Sequence, residues 1–330
     1  MNKRIVAILQ ASGVLILMSM GTILTKIVLA DVPPFTYAWT SIGVGMIIMS
    51  LYTFLVKKER VPRQLGKRVW WYIVAIGVCN FTISRLTRPL AIARLPVITN
   101  SYVGNFIGFF TMAMSIFILK EYPSIFQLLG AGIAVYGITL YFNQPLQGGE
   151  LIGILFILAG ILAVAYTNNI ARKLAIVTKN ELSNNIISTV ALLIGGVGAV
   201  LAGLIFDFPP KVPDLQSWVI IFYSGLINIA LGLTVWNHIL RTLRSYEASI
   251  LGASTIIWIT LLAMLILGEK PTLFQWLGMA TMVIGLLLVQ VRKGRLDQLI
   301  KKRTNPAPMI GDPIIGQDTK DESICAKEVL

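Results

Sequence analysis

The stretch Leu119–Leu140, LKEYPSIFQLLGAGIAVYGITL, returns 148 positions later as Leu267–Leu288, LGEKPTLFQWLGMATMVIGLLL, without a gap. Ten of the 22 aligned pairs are identical, and several of these are polar residues or glycines that shared apolar composition does not explain. These pairs are Glu121/Glu269, Pro123/Pro271, Gln127/Gln275, Gly130/Gly278 and Gly137/Gly285. The chain is therefore predicted to contain two copies of one structural unit.

The composition is that of a membrane protein. Of the 330 residues, 56% are hydrophobic and 13% are charged, whereas a soluble domain is about 25% charged. This excludes a soluble enzyme, a disordered chain and a secreted disulfide scaffold. Cys79 lies in an apolar run and Cys325 in a polar tail, so no disulfide is expected. With His238 as the single histidine, neither a metal site nor a cofactor is predicted.

Ten apolar runs are each about 20 residues long, the length that crosses a bilayer core as a helix. Short connections leave no room for a soluble domain before residue 292, so an all-α integral membrane protein with ten transmembrane helices is predicted. The runs are Ile5–Ala30, Phe35–Val56, Trp70–Leu90, Val97–Leu119, Ser124–Phe142, Leu151–Ala171, Asn184–Phe206, Trp218–Leu240, Ala248–Leu267 and Thr272–Val291.

The basic residues predict the orientation. With ten spans, twenty Lys and Arg residues fall on the side that holds both termini, and only Arg94, Lys211 and Lys270 fall on the other. Both termini are therefore expected in the cytoplasm, because cytoplasmic loops carry the excess of basic residues. The tail after Arg292 begins with a basic cluster that would meet anionic lipid headgroups, and it continues as a polar, disordered segment.

The repeat divides the chain into residues 1–148 and 149–292, with a tail at 293–330. Each copy holds five spans, and because five is odd the second copy must enter the membrane inverted. Inverted repeats are the architecture of many secondary transporters, in which two similar halves exchange roles around a central site. A carrier working by alternating access is predicted, and neither a nucleophile–base pair nor a phosphate loop points to an enzyme.

The turns Leu119-Lys120-Glu121-Tyr122-Pro123 and Leu267-Gly268-Glu269-Lys270-Pro271, each followed by Gln-x-x-Gly, resemble the paired L-G-E turns of EamA-type carriers. These carriers belong to the drug/metabolite transporter superfamily. Lys120 departs from the usual Gly. The resemblance, over residues 5–292, implies ten helices, cytoplasmic ends and a cavity lined by helices one, three, four, six, eight and nine. It also implies a small-metabolite substrate, most often an amino acid moved outward.

Charged residues near or within the spans have two interpretations each. Glu121, Pro123, Glu269 and Pro271 are predicted to cap two hinge turns, with the prolines in a first helical turn; a substrate or proton role is the alternative. Arg85 lies about 22 Å along its helix, counted from Trp70. It is predicted either to contact an anionic substrate or to bond to backbone carbonyls. Arg88 and Lys26 are interpreted as snorkelling to the interface.

Polar and aromatic residues converge in the helices that the resemblance assigns to the cavity. The candidate substrate-binding residues are Arg85, Tyr102, Asn105, Tyr166, Asn169, Asn228, Trp236 and Trp258. Trp and Tyr with a few amides suit a small amphipathic organic molecule. The small residues on the same faces have the alternative role of packing helices closely.

Three functions remain open on the sequence. The first is a metabolite carrier of a bacterial-type plasma membrane, most consistent with export of amino acids or related compounds. The second is an exchanger of anionic organophosphates or nucleotide sugars, which Arg85, Arg88 and the absence of buried acids favour. The third is a non-transporting scaffold or sensor that uses the basic tail. Nucleic acid is not an expected partner, and the oligomeric state is left open.

Overall fold

The structure, a computed structural model, describes residues 3–62, 65–143, 148–178, 182–207, 209, 213–234, 252 and 254–289. Met1–Val291 form one compact unit, and the tail that follows lies outside the described residues. The predictions made for the basic tail therefore remain predictions.

Every regular element in the described ranges is a helix, which confirms the all-α prediction. Among the residues that the structure describes, seven helices are long and apolar enough to cross a membrane, whereas Ile125–Tyr141, Thr255–Leu267 and Leu273–Val289 are shorter apolar helices, so the count of ten crossings stays a prediction. In chain order the helices are α1 (Lys3–Val28), α2 (Pro34–Val56), α3 (Lys67–Arg94), α4 (Val97–Ile118), α5 (Ile125–Tyr141), α6 (Gly148–Val177), α7 (Asn184–Phe206), α8 (Leu215–Thr234), α9 (Thr255–Leu267) and α10 (Leu273–Val289).

Capping boxes start the two helices of the strongest repeat. The backbone N–H of Ser124 donates to Gln127 Oε1 at 2.8 Å, and the N–H of Gln127 donates back to Ser124 Oγ at 3.4 Å. Thr272 and Gln275 make the same pair of bonds at 2.8 and 3.3 Å. The repeated glutamine is thus the second half of a capping box. The first-turn position predicted for the repeated prolines is wrong, because each precedes the capping Ser or Thr.

Carboxylates cap other helix starts. The N–H of Thr36 in α2 donates to Asp207 Oδ2 at 2.7 Å, so a residue of the second repeat caps a helix of the first. Asp214 caps its own helix, α8, by accepting from the N–H of Ser217 at 3.0 Å. Hydrogen bonds from Ser217 lower the pKa of the Asp214 carboxyl below its ordinary value. The cap is therefore charged at neutral pH, which suits the positive end of the helix dipole.

The contact between α5 and α10 has the symmetry that inverted repeats require. A Cβ on Gly130 would lie 2.5 Å from the carbonyl oxygen of Gly285, and one on Gly137 would lie 3.0 Å from that of Gly278. Because Gly130 corresponds to Gly278 and Gly137 to Gly285, the two contacts are one contact made twice. Small residues let the backbones approach this closely inside a membrane.

Helices α3 and α8 are distorted at equivalent places. Each contains a π-helical segment, Gly77–Ile83 in α3 and Ser224–Leu231 in α8, and the 148-residue offset superposes them. Helix α4 is interrupted after Gly104, where Asn105 begins a turn before the helix resumes at Ile107. Such distortions often occur at functional sites, and all three adjoin a cavity at the centre of the bundle.

Candidate substrate cavity

The central cavity has a volume of about 550 Å³, within the size range of small-molecule sites. Its walls come from both repeats: α1, α2, α3, α4, α6, α8 and α9, with Leu286 of α10 at one edge. All six helices that the resemblance assigned to the cavity line it. Helix α2 was not expected, and it contributes Tyr37, Ser41 and Ile42.

The charge in the cavity wall is positive. Arg85 and Arg88 both line the cavity, and the described lining residues include no Asp or Glu. Arg85 donates through Nη2 to the backbone carbonyl of Asn228 at 3.3 Å. Arg88 is exposed to the cavity space and makes no hydrogen bond or ion pair with any residue that the structure describes. Two guanidinium groups without a carboxylate inside an apolar bundle favour binding of an anion.

Amides and hydroxyls complete the wall. The lining amides are Asn100, Asn105, Asn168 and Asn228. Near the arginines, the hydroxyl of Tyr37 donates to Ser224 Oγ at 2.8 Å and is also bonded to Thr25 Oγ1 at 2.7 Å. This network joins α1, α2 and α8. A small molecule in the cavity would therefore meet cationic, amide and hydroxyl groups set in apolar walls.

The model of the EamA-like transporter family matches residues 5–143 and again residues 151–291, which together are most of the chain. The chain belongs to the EamA-like transporter family. The two matches are the two repeats, and the family together with the apolar helices makes this EamA-like chain a multi-pass membrane transporter.

Similar proteins agree with the family and leave the substrate open. The uncharacterized transporter YrdR of Bacillus subtilis (strain 168) is 28% identical over 296 residues, 83% of this chain and 88% of YrdR. The probable 4-amino-4-deoxy-L-arabinose-phosphoundecaprenol flippase subunit ArnE of Yersinia pseudotuberculosis serotype O:1b (strain IP 31758) is 34% identical over 65 residues, 20% of this chain and 57% of ArnE. A solved crystal structure with 16% identity and a TM-score of 0.64 covers 87% of this chain and 98% of its own, and it shows the fold alone.

Three of the eight candidate binding residues of this EamA-like chain line the cavity: Arg85, Asn105 and Asn228. Asn105 sits at the break in α4, where its amide donates to the carbonyl of Ser101 at 2.9 Å. Trp236 lies outside the described residues. The other four, Tyr102, Tyr166, Asn169 and Trp258, do not line the cavity.

Helix packing explains the placement of three of those four residues. Tyr102 is fully buried and stacks on Tyr141 with ring centroids 3.9 Å apart. Asn169 is 2% exposed and donates to the carbonyls of Thr111 and Ala165, both at 3.0 Å. Tyr166 is half-buried and packs on the apolar cluster between α3, α6 and α7. Trp258 is half-buried away from the cavity. A binding role for any of them stays an untested prediction.

Sequence reasoning missed Arg88, Asn100, Asn168 and Tyr37 as cavity residues. Arg88 lies one helical turn after Arg85, and this spacing indicates that the two side chains share one face of the helix. Arg88 was nevertheless not chosen as a candidate, because it was interpreted as snorkelling to the interface. Asn168 is the neighbour of a residue that was chosen, and it is exposed where Asn169 is buried. One position along a helix turns a side chain by about 100°, enough to move it out of the wall.

The repeated glutamates do not cap the helices that come after them. Glu269 accepts from the backbone N–H groups of Val97 and Ile98, so it caps α4, a helix of the other repeat. Glu121 instead pairs with Arg172 Nη2 at 2.7 Å, with both side chains partly exposed. Glu269 therefore caps a helix, but not the helix that follows it in the chain. Glu121 forms an ion pair with Arg172.

Proposed function

We propose that this chain is a secondary transporter of the bacterial-type plasma membrane that moves a small metabolite bearing a carboxylate or phosphate group. The observation that carries the substrate class is the arginine pair of the cavity, which has no carboxylate beside it among the described lining residues. An anionic group between Arg85 and Arg88 would offset their mutual repulsion and complete their hydrogen bonding. The two inverted repeats support alternating access around this site.

Two classes of substrate carry such a group. Amino acids and related compounds, moved outward, are what resemblance to EamA-type carriers supports. Organophosphates or nucleotide sugars are favoured by the cavity, because an amino acid also brings an ammonium group and no acidic side chain among the described lining residues would pair with it. The name of the relative ArnE describes a flippase subunit for a phosphate-bearing lipid, which agrees with phosphate chemistry.

The proposal is tested by counterflow in proteoliposomes that contain a labelled pool of amino acids, organic acids, sugar nucleotides and sugar phosphates. Arg88→Gln should raise the KM for the exchanged anion at least tenfold, since a bond to a charged group contributes about 1.5–3 kcal/mol. Arg94→Gln is the matched control. Arg94 lies on the same helix outside the cavity, donates to the carbonyl of Leu90 and stacks over Phe156.

Exchange of phosphorylated compounds that Arg88→Gln weakens and Arg94→Gln leaves alone would support the anion carrier. If the protein instead exchanges zwitterionic amino acids and Arg88→Gln weakens that exchange, the arginines bind the carboxylate group of the amino acid. Exchange that neither substitution changes would remove the arginine pair from the site. Both termini are proposed to face the cytoplasm, on the distribution of basic residues.

A further inference from the structure

The junction between α3 and α4 is held from one side by a lysine of α1. Lys26 is half-buried, and its Nζ donates to the carbonyl oxygens of Ile92 at 2.7 Å and Leu95 at 2.9 Å. The carbonyl of Ile92 belongs to the last turn of α3, where four C=O groups have no partner inside the helix, and that of Leu95 follows directly after the helix end. The ammonium group therefore caps α3 with the charge that a helix C-terminus favours, and the snorkelling expected of Lys26 stays a prediction.

A glutamate of the second repeat holds the same junction from the other side. Glu269 Oε1 accepts from the N–H of Val97 at 2.6 Å, and Oε2 accepts from the N–H of Ile98 at 3.0 Å. These are the first amides of α4, so the carboxylate meets the positive end of that helix. Lys26 of the first repeat and Glu269 of the second thus make four charge-assisted hydrogen bonds to the backbone at the connection Leu95-Pro96. These four bonds are called the clasp below.

The clasped junction lies between the cavity and one end of the bundle. Arg88 and Ile92 on α3 and Asn100 on α4 line the cavity, whereas Leu95, Val97 and Ile98 do not. Ile23, Leu95 and Val97 are at most 1% exposed and pack in one apolar cluster. These side chains form a buried layer beside the cavity, and the hydrogen bonds of Lys26 and Glu269 hold the backbone of that layer.

The other end of the bundle differs, although the repeat predicts the same parts. Glu121, the equivalent of Glu269, is paired with Arg172 of α6, and the two side chains are 43% and 57% exposed. Asn168, one turn before Arg172, lines the cavity and is exposed. The two equivalent glutamates therefore have different partners, one in a half-buried helix cap and the other in a partly exposed ion pair.

We propose that Lys26 and Glu269 are the clasp of a gate, and that breaking their bonds to the α3–α4 junction opens the cavity at that end. This rests on the alternating access of the proposed function, because a carrier must open each end in turn. The strength of the clasp then sets how often the junction end opens. Both residues are positioning residues that act through the junction and do not touch the substrate.

Cysteine accessibility tests the clasp without any substrate. In a Cys79→Ser, Cys325→Ser background, Ser101→Cys places a thiol in the cavity wall just inside the junction. Sealed proteoliposomes are treated with a membrane-impermeant maleimide. Lys270→Cys and Lys120→Cys, both at exposed positions in the turns at opposite ends, show which end faces the reagent.

Glu269→Gln should raise the labelling rate of the Ser101→Cys thiol from the junction end about tenfold, the factor given by 1.4 kcal/mol, because the neutral amide caps a helix more weakly. Lys26→Met removes both hydrogen bonds of the ammonium group and keeps a side chain of similar length, so it should also raise the labelling rate about tenfold. The matched control is Glu121→Gln, the equivalent carboxylate at the opposite end, which should not raise labelling from the junction end.

Val97→Pro provides a second route if the carboxylate proves necessary for folding. It deletes one donor and leaves Glu269 intact, and proline is tolerated at the first position of a helix. Unchanged labelling in folded Glu269→Gln, Lys26→Met or Val97→Pro protein would overturn the clasp, as would an equal rise in Glu121→Gln. Raised labelling in a protein that transports no compound would support the clasp and contradict the proposed transport function. Transport together with unchanged labelling would support the transport function and contradict the clasp.

Discussion

Lys120 and Gly268 occupy the same position in the two repeats, and both have a left-handed backbone, with φ of 57° and 68°. Each ends a helix directly before the repeated glutamate. Glycine adopts this conformation at no steric cost, whereas a lysine there is strained. In the first repeat, Lys120 therefore replaces the glycine of the L-G-E pattern, while the turn keeps the same left-handed backbone conformation.

Lys120→Gly should therefore stabilise the protein. Relief of the left-handed strain outweighs the extra freedom of glycine in the unfolded chain, for a net gain of about 0.5–1 kcal/mol. Thermal unfolding in detergent should show a rise in Tm of about 2 °C. Lys120→Ala is the control, since it removes the charge and keeps the strain. An equal gain in Lys120→Ala would attribute the effect to charge.

Gly130→Ala should disrupt the contact between α5 and α10. The new Cβ would lie 2.5 Å from the carbonyl oxygen of Gly285 and 2.9 Å from the backbone nitrogen of Val289, and neither backbone atom can move aside alone. Overpacking of this kind costs about 1–3 kcal/mol.

The control for that substitution is Gly132→Ala on the same helix, where a Cβ would meet nothing within 4 Å. Monodispersity in detergent and the unfolding midpoint should both fall for Gly130→Ala, whereas Gly132→Ala should keep the monodispersity and leave the midpoint equal or higher, because alanine favours a helix more than glycine does. Equal stability of the two variants would show that the helices can separate at this point without cost.

The sequence was informative where the physical signal is local or repeated. Apolar runs of bilayer length predicted the order of the helices, and the paired residues of the repeat predicted two related halves. The partner of a side chain was not predictable in this way. Glu269 caps amides about 170 positions away in the chain, and nothing in the turn around it specifies which helix start it meets.

Helix phase was the second limit. The π-helical segments of α3 and α8 precede or contain Arg85 and Asn228, and each adds residues to a turn. A count at 3.6 residues per turn therefore loses its phase across both segments, although Arg85 and Asn228 still line the cavity as predicted. In the regular helix α6 the error came from choosing between adjacent asparagines, of which tertiary packing selects one for the wall.

Asn168 and Asn169 should therefore respond differently to alanine. Asn169→Ala removes two buried hydrogen bonds to the carbonyls of Thr111 and Ala165 and should cost about 1–3 kcal/mol of stability. Asn168→Ala should leave the unfolding midpoint unchanged and alter the KM for the exchanged substrate, because its side chain faces the cavity. The two variants are compared by unfolding in detergent and by counterflow. A reversed pattern would exchange their assignments.

Tyr37 gives a prediction about how the cavity holds its shape. Its hydroxyl joins α1 and α8 through Thr25 and Ser224, and the ring is 3% exposed. Tyr37→Phe keeps the ring but leaves two buried hydroxyls with one partner fewer, at a cost of about 1–3 kcal/mol. The walls beside Arg85 would then be less fixed, so the substrate KM should rise together with the loss of stability.

Tyr223→Phe is the matched control for Tyr37→Phe. The hydroxyl of Tyr223 also bonds to α1, donating to the carbonyl of Leu17 at 2.9 Å, but it does so at an exposed position outside the cavity wall. The carbonyl of Leu17 also accepts within α1 from the N–H four residues later, so it does not lose its last partner, and neither the unfolding midpoint nor the KM should change measurably. A rise in KM for Tyr37→Phe without any loss of stability would instead mean that the hydroxyl contacts the substrate directly.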